Sequence, residues 1–201
     1  SNICNAIRTE GRDISFSEQV GKFVEQIEPG LPNHLSQGII DNIAMAYDKP
    51  FMDFPPLFHE CTHSILSELK SKGYLLGLIS NTAMTPGSTF RSYMSEVGIL
   101  KYFDVLIFSN EVGFSKPSKD IFQLALKVLR VDPYSVIHVG DDMKRDVEGA
   151  KLAGFRTIWI TRSHDSYDVL DCVVPSDESM ADISVGDLSE VICAVQHLDS
   201  R

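Results

Sequence analysis

Three carboxylates crowd into the stretch "HVGDDMKRD", where Asp141 and Asp142 are adjacent and Asp146 follows about one helical turn later. Crowded carboxylates repel one another unless a cation or hydrogen-bond donors compensate their charge. Oxygen ligands with no cysteine among them suit Mg²⁺, which keeps several waters and bridges to a substrate phosphate. The plainer alternative is a solvated acidic turn in which Asp142 helps a helix to start. We favour the interpretation that these carboxylates form a metal site.

Two further segments carry groups that could hold an anion. Ser80 and Asn81 end the stretch "LISN", and their short side chains offer hydrogen-bond donors, although for this stretch alone a turn or a helix cap is the favoured interpretation. In "FSKPSKD", Pro117 biases Lys116 toward an extended conformation, and Ser118 is a candidate helix cap. Lys116 can therefore project from a loop and neutralise phosphate charge, although a solvated lysine is the simpler interpretation of this residue alone.

A second pattern associated with metals is "HECTH", which begins at His59 and has the H-E-x-x-H spacing of zinc proteases. Two histidines four apart on a helix can share a zinc ion. On the helix predicted through "LFHECTHSILSELKSKG", however, His59 and His63 fall beside the apolar stripe, in the sector of Lys70. The longer H-E-x-x-H-x-x-G-x-x-H pattern also fails, because Leu66 and Leu69 occupy the glycine and third histidine positions. We interpret HECTH as part of a solvent-exposed helix face and not as a zinc site.

Composition narrows the class of protein. The chain has 201 residues, of which 43% are hydrophobic and 23% charged, enough for one substantial core. The net charge of −10 and the lack of a basic run argue against a nucleic acid or an anionic membrane as partner. No apolar stretch approaches membrane-spanning length, and the polar start is not that of a signal peptide. The four scattered cysteines predict reduced thiols in a cytoplasmic protein.

The elements that must position the polar residues alternate regularly in the second part of the chain. The apolar runs "YLLGLIS", "FDVLIFS", "SVIHVG" and "RTIWI" are separated by amphipathic helical segments, and "ADISV" precedes a last helix. This alternation predicts parallel strands that helices cover on both faces. Residues 15–47 predict helices, and "DKPFMDFPP" predicts a linker. We therefore expect an α/β fold with a helical accessory at residues 1–54 and a doubly wound, Rossmann-like parallel sheet at residues 55–201.

In such a sheet the carboxyl ends of the strands share one crevice, where ligands usually bind. Taken in order, "LLGLISN", "SKP" and "VIHVGDDMKRD" resemble the second, third and fourth motifs of the haloacid dehalogenase-like (HAD) superfamily of hydrolases. The resemblance covers roughly residues 57–200. It implies a helical cap on the sheet domain, which residues 1–54 would supply. It also implies that Ser80 and Asn81 hydrogen-bond a transferring phosphoryl group, while Lys116 binds the same phosphate and steadies the charge of the nucleophile.

The same resemblance implies a magnesium site. Asp141 would ligate Mg²⁺, with Asp146 and Asp142 supporting the metal or its waters. The reaction would hydrolyse a small phosphorylated metabolite through an aspartyl-phosphate. Dehalogenating members need no magnesium and usually lack the acidic pair, so "GDD" favours phosphate monoesters over haloacids.

The first motif of the family, Asp-x-Asp-x-Thr, supplies the nucleophile and general acid at the end of a central strand. No Asp-x-Asp occurs in this chain, and the nearest approach, "DVLD", is one residue too wide. Without that strand, the "LLGLIS" and "VIHVG" strands would face a gap with unpaired backbone groups. We therefore predict that a few tens of residues precede Ser1 in the natural protein, or that a partner chain donates the strand. A chain that begins at Ser1 should then lack phosphatase turnover.

Two other classes of function compete with the phosphatase. One is a non-catalytic phospho-ligand binder or scaffold on the same fold, which the residues encoded upstream of Ser1 would distinguish. The other is a zinc protease, which would require zinc bound at His59 and His63 and lost in His63→Ala.

Overall fold

The structure is a computed structural model that describes residues 11–161 and 180–200. Within these residues the α-helices, numbered in chain order, are α1 (Phe16–Ile27), α2 (Gln37–Asp53), α3 (Thr62–Ser71), α4 (Gly87–Glu96), α5 (Ser109–Val112), α6 (Lys119–Leu129), α7 (Gly149–Leu152) and α8 (Val191–Asp199). A π-helical turn at Met143–Glu148 leads into α7. Short 3₁₀ turns lie at Leu31–His34, Leu100–Tyr102, Pro133–Ser135 and Leu188–Glu190.

The strands are β1 (Gly77–Ser80), β2 (Val105–Phe108), β3 (Ile137–Gly140), β4 (Arg156–Ile160) and β5 (Ile183–Val185). Each apolar run that predicts a strand forms one, and all the strand pairs are parallel, so the predicted α/β class is confirmed. The strands make two separate sheets: β1 pairs with β2, while β4 lies between β3 and β5. Within the two described ranges, no strand pairs with the remaining edge of β1 or of β3.

Helices pack on both sheets and bury the core between them. Phe122 of α6 and Ala150 of α7 belong to one buried cluster with Ile107 of β2. On the other sheet, Val195 of α8 belongs to a second cluster with Ile158 of β4. This layering of helix on parallel sheet is the Rossmann-like arrangement that the sequence predicts. In the part of the chain that the structure describes, no helix is long and apolar enough to cross a membrane.

The helical segment before the sheets extends further than predicted. Ser15 caps α1 by accepting a hydrogen bond from Glu18 N. Helix α2, however, runs through Pro50 to Asp53, so the prediction of a linker over "DKPFMDFPP" is wrong for its first part. In this last turn Phe51 packs edge-on against Phe90 and Tyr93, with ring centroids 5.0 Å and 5.7 Å apart, which compensates in part for the hydrogen bond that proline cannot donate. The assignment of residues 1–54 as a cap remains a prediction, and residues 1–10 lie outside the described ranges.

Helix α3 starts later than the hydrophobic pattern predicts. Its first residue is Thr62, so the first three residues of "HECTH" precede the helix. A tight turn replaces the predicted helical turn, because Cys61 N donates to His59 Nδ1 at 3.2 Å and Thr62 N donates to His59 O at 2.9 Å. His59 and His63 therefore do not share one face of a helix.

Candidate functional site

The ends of β1 and of the loop after β2 are held together by one side chain. The Asn81 amide follows β1 directly and makes two hydrogen bonds with the backbone of Lys116: Lys116 N donates to Asn81 Oδ1 at 2.8 Å, and Asn81 Nδ2 donates to Lys116 O at 2.9 Å. Ser80, the last residue of β1, is half-buried beside this clamp. The predicted anion-binding residues are thus brought to one edge of the β1–β2 sheet.

Lys116 connects this edge to the second sheet. Its Nζ lies 2.6 Å from Asp146 Oδ1, and the two side chains are only 14% and 6% exposed. Asp146 Oδ2 accepts a hydrogen bond from Asp142 N at 3.1 Å, which seats the carboxylate beneath the turn that follows β3. A continuous set of contacts therefore runs from the carboxyl end of β1 to that of β3, as expected for a crevice at this edge.

Asp146 is kept ionised by its partners. Burial alone would raise the pKa of its carboxyl group, but hydrogen bonding from His138 and the charge of Lys116 outweigh burial and hold that pKa well below its usual value. Burial lowers the pKa of His138, against the opposing effect of the hydrogen bond to Asp146. Burial thus favours the uncharged form of His138, whose Nε2 lies 3.1 Å from Asp146 Oδ1.

The tight seating of Asp146 requires a glycine at the end of β3. A Cβ atom on Gly140 would lie 2.3 Å from Asp146 Cγ and 2.6 Å from its Oδ2. These separations are far below any real contact distance, so any larger side chain at position 140 would displace the carboxylate. The "VGDD" turn thus shapes the site by packing as well as by charge.

The other two predicted metal residues are placed differently. Asp142 caps the π-helical turn, accepting from Arg145 N at 2.7 Å and from Arg145 Nε at 2.6 Å, so both its oxygens are engaged. Asp141 is exposed, and its main-chain oxygen accepts a hydrogen bond from Trp159 Nε1 at 3.2 Å. Among residues 11–161 and 180–200, no three His, Cys, Asp or Glu side chains gather as a metal cluster. The crowding that the sequence suggests is relieved by donors at Asp142 and Asp146.

Two contacts in the site were not predicted from the sequence. The use of the Asn81 amide as a clamp on Lys116 joins residues far apart in the chain, and no local pattern signals it. His138 as a partner of Asp146 had a signal, because a histidine inside the buried apolar run "VIHVG" must find a hydrogen-bond partner. Its ring also packs edge-on against Phe122, with centroids 5.2 Å apart.

The two histidines of "HECTH" contact other groups, although Thr62 lines one cavity together with Ser80. His59 Nε2 is 3.0 Å from Asp187 Oδ2. The His63 ring stacks edge-on between Phe58 and Tyr102. The "DVLD" stretch lies outside the described residues.

Comparison with known proteins identifies the family. Residues 25–160 match the haloacid dehalogenase-like hydrolase family, and the chain belongs to it. A phosphoserine phosphatase of Thermus thermophilus is 34% identical over 140 residues, which are 69% of this chain and 51% of that protein. A glyceraldehyde 3-phosphate phosphatase of Methanothermobacter thermautotrophicus is 35% identical over 147 residues, 69% of this chain and 59% of that protein. The chain thus spans between half and three-fifths of the length of these curated relatives.

Solved structures agree with this assignment. A HAD phosphatase from Thermococcus onnurineus superposes with a TM-score of 0.61 and 29% identity, covering 74% of this chain and 64% of that one. A 2-haloacid dehalogenase from Pseudomonas syringae has a TM-score of 0.62 at 16% identity, covering 97% of this chain and 88% of that one, and so shares the fold. The predicted membership of the HAD superfamily is confirmed.

Proposed function

We propose that the protein is a magnesium-dependent phosphatase that acts on a small phosphorylated metabolite through an aspartyl-phosphate. The nucleophilic aspartate would lie on a strand that the present sequence does not contain, since it has no Asp-x-Asp. The observation that carries the proposal is the largely buried Lys116 ammonium group, fixed 2.6 Å from Asp146 Oδ1 at the edge where Ser80 ends β1. The two relatives named above, both phosphatases, support the same class of reaction.

The residues of this chain would bind and orient the phosphate. The charge of Lys116 is weakly screened by water because the side chain is largely buried, so the part of it that Asp146 leaves uncompensated would attract a phosphate dianion. The Ser80 hydroxyl can donate to a second phosphate oxygen. The Asn81 side chain makes hydrogen bonds with the backbone N–H and C=O of Lys116, so it would hold the lysine loop in place. In the proposed reaction the absent carboxylate attacks phosphorus and displaces the alcohol, and water then releases inorganic phosphate.

The turn after β3 offers ligands of the type that magnesium prefers. Asp141 and Asp146 supply carboxylate oxygens, and Asp146 is held ionised with its carboxylate against the peptide that follows Asp141. Mg²⁺ commonly needs only one or two carboxylates, because waters and substrate phosphate complete its shell. The donor set therefore fits Mg²⁺, with Asp141 as ligand and Asp146 in support. When bound, the ion would neutralise phosphate charge as a Lewis acid.

The two-sheet arrangement supports a missing strand between β1 and β3. No residue of β1 or β3 is fully buried, whereas β2 buries Ile107 and Phe108 and β4 buries Thr157 and Ile158. A central strand of a doubly wound sheet should be the more buried kind. A largely apolar cavity of about 360 Å³, which Leu78 of β1 helps to line, lies beside this strand. A strand inserted here would pair with the free edges of β1 and β3, and its apolar side chains would fill such a cavity.

The proposal is tested by turnover of p-nitrophenyl phosphate with and without Mg²⁺. We expect no turnover by the chain alone and magnesium-dependent turnover once the residues encoded upstream of Ser1 are joined to it. In that longer protein, Lys116→Met should lower activity by about 100-fold or more, while the matched change Lys119→Met, at an exposed lysine, should leave it intact.

Two results would change the proposal. Robust turnover by the present chain without any other polypeptide would overturn the account of the missing nucleophile. An upstream sequence without Asp-x-Asp, combined with phosphate binding but no turnover, would favour the non-catalytic binder.

A further inference from the structure

A short segment ahead of α1 lies along the loop that carries Lys116. We call residues 11–13 the strap. Asp13 N donates to Gly113 O at 3.0 Å, and Ser115 N donates to Gly11 O at 2.9 Å. These bonds form an isolated antiparallel bridge between Arg12 and Phe114. The strap thus pairs with the residues immediately before Lys116.

The strap also touches the other side of the same loop. Gly11 has a φ of +64°, and a Cβ atom there would lie 2.6 Å from Ser118 Cβ and 3.1 Å from Ser118 N. Only glycine combines this left-handed backbone with so close an approach. Lys116 is therefore flanked by contacts with the strap at Ser115 and at Ser118.

Buried side chains fix the strap to α1. Asp13 is 5% exposed, and its Oδ1 accepts hydrogen bonds from Ile14 N at 2.8 Å and from Gln19 Nε2 at 3.3 Å. Gln19 belongs to α1, is 3% exposed, and also donates to Ile14 O at 2.9 Å. The position of the strap is thus tied to that of the helix.

A second path leads from the strap to β1. Burial raises the pKa of Asp13, although the neighbouring Ser109 hydroxyl opposes this rise. Asp13 Oδ2 is buried and has no hydrogen-bond partner among the described residues. Ser109 Oγ in turn accepts from Thr82 N at 3.0 Å, next to Asn81. Asp13 therefore adjoins a buried polar group that supports the end of β1.

We propose that the strap is a positioning element, through which the helical N-terminal segment holds the Lys116 loop in its phosphate-binding arrangement. The strap supports this loop through Ser115 and Ser118, while Asn81 clamps the backbone of Lys116 itself. Displacing the strap would leave the lysine loop with the Asn81 clamp and the contact of Lys116 with Asp146. The consequence for phosphate affinity rests on the proposed function, whereas the consequence for loop order does not.

The experiment compares one substitution at two glycines. Gly11→Ala forces a clash and a strained backbone, whereas Gly21→Ala lies in α1 with nothing within 4 Å of the new Cβ. Hydrogen exchange of the Lys116 amide is the first measurement, because this amide bonds to Asn81 and not to the strap. The second is the affinity for inorganic phosphate. Gly11→Ala should speed exchange and weaken binding about tenfold, while Gly21→Ala should change neither.

Asp13→Ala and Asp13→Asn provide a second pair that introduces no clash. We expect Asp13→Ala to behave like Gly11→Ala and Asp13→Asn to restore slow exchange, because the amide keeps an acceptor oxygen. Unchanged exchange of the Lys116 amide in folded Gly11→Ala or Asp13→Ala would overturn the positioning role. Faster exchange in a protein that carries the residues encoded upstream of Ser1, and whose wild type still fails to bind phosphate, would uphold that role and refute the phosphate site.

Discussion

The stretches "HECTH" and "HVGDDMKRD" both contain residue types that bind metals, yet the fold treats them in opposite ways. In the first, His59 sits in an exposed turn before α3 and contacts Asp187. In the second, Asp146 is buried in the π-helical turn after β3, between Lys116 of the loop before α6 and His138 of β3. The spacing of residues is suggestive in both cases. What separates them is burial: the Lys116–Asp146 pair is 14% and 6% exposed, whereas the His59–Asp187 pair is 37% and 47% exposed.

The largest effect on stability should come from removing the charge of Lys116, the partner of the buried Asp146. Lys116→Met leaves Asp146 without its charged partner in a place that is 6% exposed. Because breaking a buried pair strands an uncompensated charge, we expect a loss of about 3 kcal/mol in the free energy of unfolding, measured by urea titration at pH 7. Lys119→Met is the control. A loss no larger than that of the control would mean that Asp146 is not held by charge.

The same variant should carry a pH signature. The pKa of folded Asp146 lies below that of the unfolded chain, so its charge stabilises the fold above about pH 4 and the contribution is lost as the pH falls further. Since Lys116 helps to depress this pKa, the stability difference between wild type and Lys116→Met should be fully present at pH 7 and shrink in acid. A difference that stays constant from pH 7 to pH 3 would contradict the assignment.

Gly140→Ala should have an intermediate effect. The new methyl group would overlap the Asp146 side chain, at 2.3 Å from Cγ. Overpacking of this kind typically costs about 2 kcal/mol, which thermal or urea unfolding would detect. Gly38→Ala, where nothing lies within 4 Å, is the matched control and should be neutral or slightly stabilising. Equal responses of the two variants would show that the turn after β3 is looser than described.

The smallest effect on stability should come from a substitution of His59 in "HECTH". His59 and Asp187 are 37% and 47% exposed, so their pair is screened by water and salt. His59→Gln should leave the urea midpoint within the scatter of replicate measurements. Metal analysis provides the sharper test: zinc that accompanies the wild type and disappears in His63→Ala would reverse the contrast between the two stretches.

The sequence predicts the strands well, because apolar runs of four to seven residues bounded by polar turns leave few alternatives. The cap at Ser118 is confirmed in the same way, since its hydroxyl accepts from Asp120 N at 3.3 Å. Local rules failed where tertiary packing decides. Pro50 predicts the end of a helix, but the packing of Phe51 on Phe90 carries α2 one turn further.

The site was predictable only in part, for a related reason. A shared edge for Ser80, Lys116 and Asp141 follows from parallel strands, and residue types suggest an anion and a cation there. The sequence does not predict which donor each of the aspartates contacts. Only the fold shows that Asp142 turns to Arg145 while Asp146 turns to Lys116. The first pair is local, but the second joins residues 30 positions apart, which no local pattern specifies.

The free edges of β1 and β3 have a consequence for handling the isolated chain. In the part of the chain that is described, each edge leaves backbone N–H and C=O groups without a strand partner. Such rows are templates onto which a strand from another molecule can add. At neutral pH the net charge of −10 keeps copies apart by mutual repulsion. Lowering the pH, which neutralises this negative charge, should therefore promote aggregation of the chain through its free sheet edges.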